Sequence, residues 1–343
     1  MEVKLTVACI TYNHEKYISQ TLESFVQQKT NFPYEIIISD DCSTDRTQEI
    51  ISSYAEKYPE LIKPILRKKN VGIWQNWMEM ADKIKSKYVA LCEGDDYWID
   101  ENKLQKQVDF LDKNENFSII FHDVKMIWEN NKFQDSIYPE SDQIFHKKEL
   151  SLEDLFRENF IPTASVVYRW RFCSENIHNF LPKDIIPIDY YIHLLHAEKG
   201  KIYHINDVMG VYRKHDEGIW SGCWESSHWY RKNTLNYINF YLELGKHFNR
   251  NYEREITDLV EKALICFCKE NDTEYLYKLK HKYPKLCHEI VIKLINEHNS
   301  IKNKGKLYFY NILKHFNTKY EIKYQKVKHR ISDLDFIERR INL

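Results

Sequence analysis

The sequence predicts an α/β fold, a mostly parallel sheet with helices on both faces, followed by an α-helical C-terminal region. Three observations carry this. Short apolar runs alternate with segments of helical periodicity as far as about Asn114, the pattern of a parallel sheet covered on both faces. Polar residues gather where the apolar runs stop. Beyond about Gly222, Lys, Glu, Leu and Tyr recur with helical spacing and almost no Gly or Pro.

Leu5 to Ile10 is apolar, long enough for a buried strand and too short for a helix. Tyr17, Ile18, Leu22, Phe25 and Val26 follow with helical spacing. Tyr34 to Ser39 is a second strand, ending in Asp40-Asp41, and Thr44 to Tyr58 a helix closed by Pro59. Leu61 to Leu66 is a shorter strand interrupted by Pro64, and Trp74 to Ile84 is helical. Tyr88 to Cys92 is a fourth strand, running into Glu93-Gly94-Asp95-Asp96, and Asn102 to Asn114 is another helix. Further on, Ser118 to Trp128 and Phe133 to Tyr138 read as extended segments around Asn130-Asn131. Ser151-Leu152-Glu153-Asp154 resembles a capping box. Thr163 to Tyr168 is strand-like, Asp189 to Lys199 helical and Lys201 to Arg213 mostly extended.

At 343 residues the chain is long enough for two domains, here 1–222 and a helical region 223–343. Net charge is -1, so overall charge predicts no polyanionic partner such as nucleic acid. Nine basic residues between Lys302 and Arg330 are opposed only by Glu321. They suit a solvated helix face, or peripheral contact with an anionic membrane, where each contributes about 1 kcal/mol. The N-terminus lacks the apolar stretch of a signal peptide. No window is apolar for long enough to span a bilayer. The eight cysteines show no Cys-x-x-Cys spacing and read as reduced thiols of a cytoplasmic protein. Cys266, Cys268, Cys287 and His288 form a conceivable zinc set with uncommon spacing.

In parallel sheets, ligands bind beyond the carboxyl ends of the strands. Those ends carry Thr11-Tyr12-Asn13, Asp40-Asp41 and Glu93-Gly94-Asp95-Asp96, so three polar clusters converge on one edge. Three crowded carboxylates repel one another unless a positive charge neutralises them, and oxygen-ligated Mg²⁺ or Mn²⁺ does so. The same residues also suit an acidic loop that precedes a helix. Ser43 to Asp45 fit a helix cap, which leaves Asp40-Asp41 unexplained. Tyr12 could stack on a base or pack on a neighbour. Gly72, in Asn70-Val71-Gly72, marks a backbone position that needs freedom.

With these residues the chain resembles the inverting nucleotide-sugar glycosyltransferases of the GT-A fold known as family 2. The resemblance runs from about Val3 to Gly222. It rests on an ordered set: Thr11-Tyr12-Asn13, Asp40 to Asp45, Asn70-Val71-Gly72 with Asn76, Glu93 to Asp96, Asp189 in Ile188-Asp189-Tyr190-Tyr191, and Tyr212-Arg213-Lys214-His215. It implies that Thr11, Tyr12, Asp40 and Asp41 surround the nucleotide base and that Asn70 closes that side. Glu93 would face the ribose, Asp95 would bind Mn²⁺ or Mg²⁺ on the donor diphosphate, and Asp96 would support them. Asp189 would be the catalytic base. Arg213 and His215 would approach the diphosphate, with His215 a metal ligand. Two departures stand out: Cys42 occupies a position where the family usually has glycine, and Glu93 replaces the commoner aspartate.

The resemblance implies transfer of a hexosyl or N-acetylhexosaminyl group from a nucleotide sugar, UDP-linked by the family's habit, to a saccharide or lipid-linked saccharide. It also implies a setting in bacterial surface polysaccharide or glycolipid synthesis. For Asp189, a helix cap after Pro187 is the competing role. For His215, the competing role is a plain surface loop. A nucleotidyltransferase or a Rossmann dehydrogenase would carry glycines after the first strand, and Ala8 to Asn13 has none. A non-catalytic scaffold or sugar-binding relative would be expected to have lost the acidic clusters, which are intact here.

Overall fold

A computed structural model describes residues 2–129, 133–139, 148–216, 218 and 227–248. The basic residues of 302–330, the cysteine-rich candidate zinc set and the part of the expected helical region beyond 248 lie outside the described residues. Residues 1–222 form one compact unit together with 243–249. The site described below lies within it.

The strands are β1 (Leu5–Thr11), β2 (Tyr34–Asp40), β3 (Ile62–Leu66), β4 (Tyr88–Leu91), β5 (Tyr97–Trp98), β6 (Phe117–Trp128), β7 (Ser136–Tyr138), β8 (Glu149–Leu150), β9 (Val167–Arg169) and β10 (Lys201–Lys214). The helices are α1 (Ile18–Val26), α2 (Thr47–Lys57), α3 (Ile73–Ala81), α4 (Lys103–Lys113), α5 (Leu152–Arg157), α6 (Ile188–Ala197) and α7 (Ser227–Phe248). Sheet order is β3-β2-β1-β4-β9-β6-β10-β5, with β7 beside β6 and β8 beside β10.

The pairings β1–β2, β1–β4, β2–β3 and β6–β10 are parallel. β9 runs antiparallel to both β4 and β6. Hence β3, β2, β1, β4, β6 and β10 all end at the same edge. Their apolar sequences follow from burial on both sides: in β1 Leu5, Val7, Ala8 and Cys9 are all buried, and in β4 every residue is.

The helices that cover the sheet bury one stripe each. α1 buries Ile18, Thr21, Leu22 and Phe25, and α4 buries Leu104, Gln107, Val108 and Leu111, both at three- and four-residue spacing. Phe25 packs on Trp98 with ring centroids 4.6 Å apart. Each such buried Leu or Phe contributes about 1.5–3 kcal/mol, so α1 and α4 anchor to the sheet through one shared core.

Three local outcomes differ from the sequence pattern. Thr163 to Tyr168 divides into a 3₁₀ turn at Thr163–Ser165 and the short β9, because Ser165 N–H and Oγ both donate to the Pro162 carbonyl. Asp189 is not the cap of α6: Pro187 takes that place, and Asp189 falls in the first turn. The tiny β5 directly follows the acidic motif and pairs antiparallel with Gly210 and Val211 of β10. The Ser151 capping box is present, with Ser151 N–H donating to Asp154 Oδ2 at 3.0 Å. Among the described residues no helix is long and apolar enough to cross a membrane.

Candidate active site

The loops after β1 and β2 are bound to each other. Asn13, in a left-handed conformation (φ 57°) that asparagine tolerates, donates its N–H to Ser43 Oγ at 2.8 Å and accepts from Thr44 N–H through Oδ1. His14 N–H donates to Thr47 Oγ1 at 2.9 Å. Cys42 adopts φ 63°, a region that penalises any Cβ. That explains why glycine would serve better there.

Both carboxylates of this region have partners. Asp40, fully buried, accepts from Ser43 N–H at 2.9 Å, from Ser43 Oγ and from Gln48 Nε2. Asp41 accepts from Val71 N–H at 2.8 Å and Gly72 N–H at 2.9 Å. Asn70 Nδ2 donates to the Asp41 carbonyl at 3.0 Å. Tyr12, one residue beyond the pairing of Thr11 with Asp40, is 44% exposed. Thr11 is buried and faces the other way, its Oγ1 3.1 Å from His14 Nδ1.

The acidic turn after β4 is pressed into that same corner. Thr21 Oγ1 donates to the carbonyls of Gly94 and Asp96, at 2.9 and 2.7 Å. A Cβ at Gly94 would lie 2.5 Å from Thr11 Oγ1 and 2.8 Å from His14 Nδ1, so only glycine permits this approach. The turn brings Asp95 Oδ2 to 3.0 Å from His215 Nε2 and 3.8 Å from His14 Nε2. Asp95 Oδ1 is buried with no hydrogen-bond partner among the described residues.

Arg213 holds the turn from behind. Its N–H donates to Asp96 Oδ1 at 2.8 Å, and its guanidinium donates to the Asp95 carbonyl and Gln20 Oε1. The guanidinium lies between the rings of Tyr17 and Tyr97, at 4.9 and 4.7 Å, and only 7% of Arg213 is exposed. Thr163 Oγ1 donates to Asp189 Oδ2 at 3.0 Å. Lys214 Nζ donates to Tyr212 Oη at 2.6 Å.

Crowding separates the carboxyl groups. Burial and then the charges of Asp95 and Asp189 push Glu93 up to about 8. Burial, Asp95 and Glu93 push Asp96 well above its usual range. Burial also works against the Asp95 carboxylate, but the His215 hydrogen bond and the two imidazoles outweigh it and hold Asp95 below its usual value. Such a group cannot ionise fully without added positive charge. His14, Asp95 and His215 each offer a ligand atom within 4.8 Å of the others, and so do Glu93, Asp95 and Asp96. The donor set and the buried, unpartnered Asp95 oxygen therefore fit a divalent cation.

The glycosyl transferase family 2 profile matches residues 6–217, well over half of the chain. The chain belongs to glycosyl transferase family 2. Two uncharacterized mycobacterial proteins, Mb1547 of Mycobacterium bovis and Rv1520 of Mycobacterium tuberculosis, are each 41% identical over 220 residues. The match covers 64% of this chain and 61% of theirs, so the chain spans about three-fifths of those relatives. The poly(ribitol-phosphate) β-N-acetylglucosaminyltransferase TarS of Staphylococcus aureus is 31% identical over 114 residues, 32% of this chain and 19% of its own. The TarS 1–349 structure with UDP-GlcNAc superposes with a TM-score of 0.55 at 17% identity, covering 93% of this chain and 83% of that one. The mannosyltransferase PcManGT of Pyrobaculum calidifontis, with GDP-Man and Mn²⁺, gives 0.50 at 12% identity, covering 95% and 88%. These likenesses show the GT-A fold.

The structure brings Glu93, Asp95, Asp96, Arg213 and His215 together at one corner of the family 2 domain, with Asp189 near enough to bear on Glu93. Asp40, Asp41 and Asn70 gather at the neighbouring loops. Local sequence does not single out His14, Tyr17, Gln20, Thr21, Glu129 or Thr163 as site residues. His14 follows directly on Thr11-Tyr12-Asn13 at a strand's carboxyl end, and that position was its one available signal. Tyr17 Oη donates to Glu129 Oε2 at 2.6 Å, a contact across 112 residues that no local pattern reveals.

Proposed function

We propose that the protein is a metal-dependent, inverting glycosyltransferase that moves a sugar from a UDP-sugar donor to a saccharide or lipid-linked saccharide in bacterial surface polysaccharide synthesis. The observation that carries this is Asp95, a carboxylate with one buried oxygen that has no hydrogen-bond partner among the described residues, beside two histidines at the sheet's carboxyl edge. Family membership supports sugar transfer. The TarS structure, which holds UDP-GlcNAc, supports a UDP-linked donor.

Asp95 and His215 would hold Mn²⁺ or Mg²⁺, which when bound neutralises charge that develops on the departing diphosphate. Asp189 takes the proton from the acceptor hydroxyl while that oxygen bonds to the anomeric carbon and the bond to the diphosphate breaks. Attack from the face opposite the leaving group inverts the configuration. The Thr163 hydrogen bond fixes the Asp189 carboxylate for that role. Tyr12, exposed among the Asp40 and Asp41 loops, receives the base, and Glu93 faces the ribose. Arg213 and Asp96 keep the Asp95 turn in place.

The C-terminal region, 223–343, is assigned to the acceptor side, with its basic stretch in peripheral contact with an anionic membrane. Binding of anionic vesicles at low salt, absent with neutral vesicles, is the outcome expected for that part.

The test of the main reading is donor binding and hydrolysis over a panel of nucleotide sugars, with and without Mn²⁺ or Mg²⁺, for wild type and Asp95→Ala. Metal-dependent binding of one UDP-sugar, lost in Asp95→Ala, is the expected result. No binding of any donor under any metal condition would instead favour a non-catalytic relative.

A further inference from the structure

Among the described residues two donor sets share Asp95. One is all oxygen, Glu93, Asp95 and Asp96; the other is nitrogen-rich, His14, Asp95 and His215. Asp96 is 1% exposed, and its Oδ1 is already bonded to the Arg213 N–H. This leaves the all-oxygen set compromised.

His14 is positioned as a metal-ligating histidine usually is, with one ring nitrogen hydrogen-bonded and the other directed at the site. Its Nδ1 lies 3.1 Å from Thr11 Oγ1. Its Nε2 lies 3.8 Å from Asp95 Oδ2, and its ring stands edge-on to that of His215 at 6.2 Å. The backbone is fixed by the bond to Thr47 Oγ1 and by the left-handed turn at Asn13. The absence of a Cβ at Gly94 lets the Asp95 turn close on His14.

We propose that His14 is a third protein ligand, so that the cation is held by two imidazoles and one carboxylate, and that this set makes the site favour Mn²⁺ or Co²⁺ over Mg²⁺. The inference rests on the metal-dependent reading above. Its chemistry is general: imidazole ligands suit first-row transition metals, whereas Mg²⁺ prefers oxygen ligands and retained water.

The experiment is pulsed electron paramagnetic resonance on Mn²⁺ added to the full chain, with and without UDP, followed by displacement with Mg²⁺ and Co²⁺. Wild type should show ¹⁴N couplings from two histidines, and His14→Gln from one. In His14→Gln, Mn²⁺ affinity should fall at least about tenfold, a loss seen even when an outer partner of a ligand is removed, while Mg²⁺ affinity stays within about twofold. Asp95→Asn should lose both metals. One histidine coupling in wild type, or an unchanged Mn²⁺-to-Mg²⁺ ratio in His14→Gln, overturns the role of His14 and leaves the metal site standing. No Mn²⁺ binding to wild type, with or without UDP, overturns both. The wild-type nitrogen count needs no variant, so the outcome does not depend on whether a substituted protein folds.

Discussion

The two acidic regions at the sheet edge differ in what their carboxylates have left to offer. Asp40, which ends β2, and Asp41, which follows it, are engaged by Ser43, Gln48, Val71 and Gly72. Asp95, after β4, has one oxygen on His215 and the other buried without a hydrogen-bond partner among the described residues. The residue type and the edge are the same, yet the first pair braces loops and the last is ready to bind. A buried polar group is normally satisfied, so this exception is what sets Asp95 apart from Asp40 and Asp41.

The sharpest way to break this contrast is to remove one carboxylate from each side. Asp95→Asn should lower metal-dependent turnover about 100-fold or more, since each 1.36 kcal/mol is tenfold in rate, with little change in unfolding free energy. Asp41→Ala should do the reverse. It orphans the Val71 and Gly72 N–H groups, at about 1–3 kcal/mol each, and urea titration should register that loss. Donor KM rises with it because the base-side loop loosens.

Gly94→Ala tests whether the two sides must touch. Its Cβ would meet Thr11 and His14, and overpacking of this kind costs about 1–3 kcal/mol. Reduced thermal stability together with weakened Mn²⁺ binding is expected.

Lys103 gives a smaller, pH-dependent effect beneath the acidic turn. Its side chain is fully buried, donates to Gln107 Oε1 at 2.8 Å, and sits 4.2 Å over Trp98. Burial pushes it down to about 7. Above that value the folded state has released a proton that the unfolded state keeps up to about 10.4, so this residue makes stability rise with pH through that window. Lys103→Met should be more stable than wild type near pH 7, on the order of 1 kcal/mol. Denaturation at several pH values should show that advantage shrinking towards pH 10.

The smallest effect belongs to Cys42→Gly. Relief of the left-handed strain, about 1–2 kcal/mol, outweighs the entropy lost by glycine, about 0.5–1 kcal/mol. A slightly raised Tm with unchanged metal binding is expected.

Residue order alone determined the α/β alternation, because strands buried on both faces read as apolar runs and α1 and α4 keep one apolar stripe. It also determined that Asp40-Asp41 and Glu93 to Asp96 share an edge, since parallel strands end together. What only the tertiary structure decided was which hydrogen bonds these groups make. The insertion of β9 between β4 and β6 and the pairing of β5 with β10 are long-range pairings with no local signal. Asp95 and His215 meet across 120 residues, and His14 joins them because Gly94 leaves room. Sequence spacing specifies which groups can reach an edge. Whether a carboxylate there is satisfied or open depends on partners that folding alone brings within bonding distance.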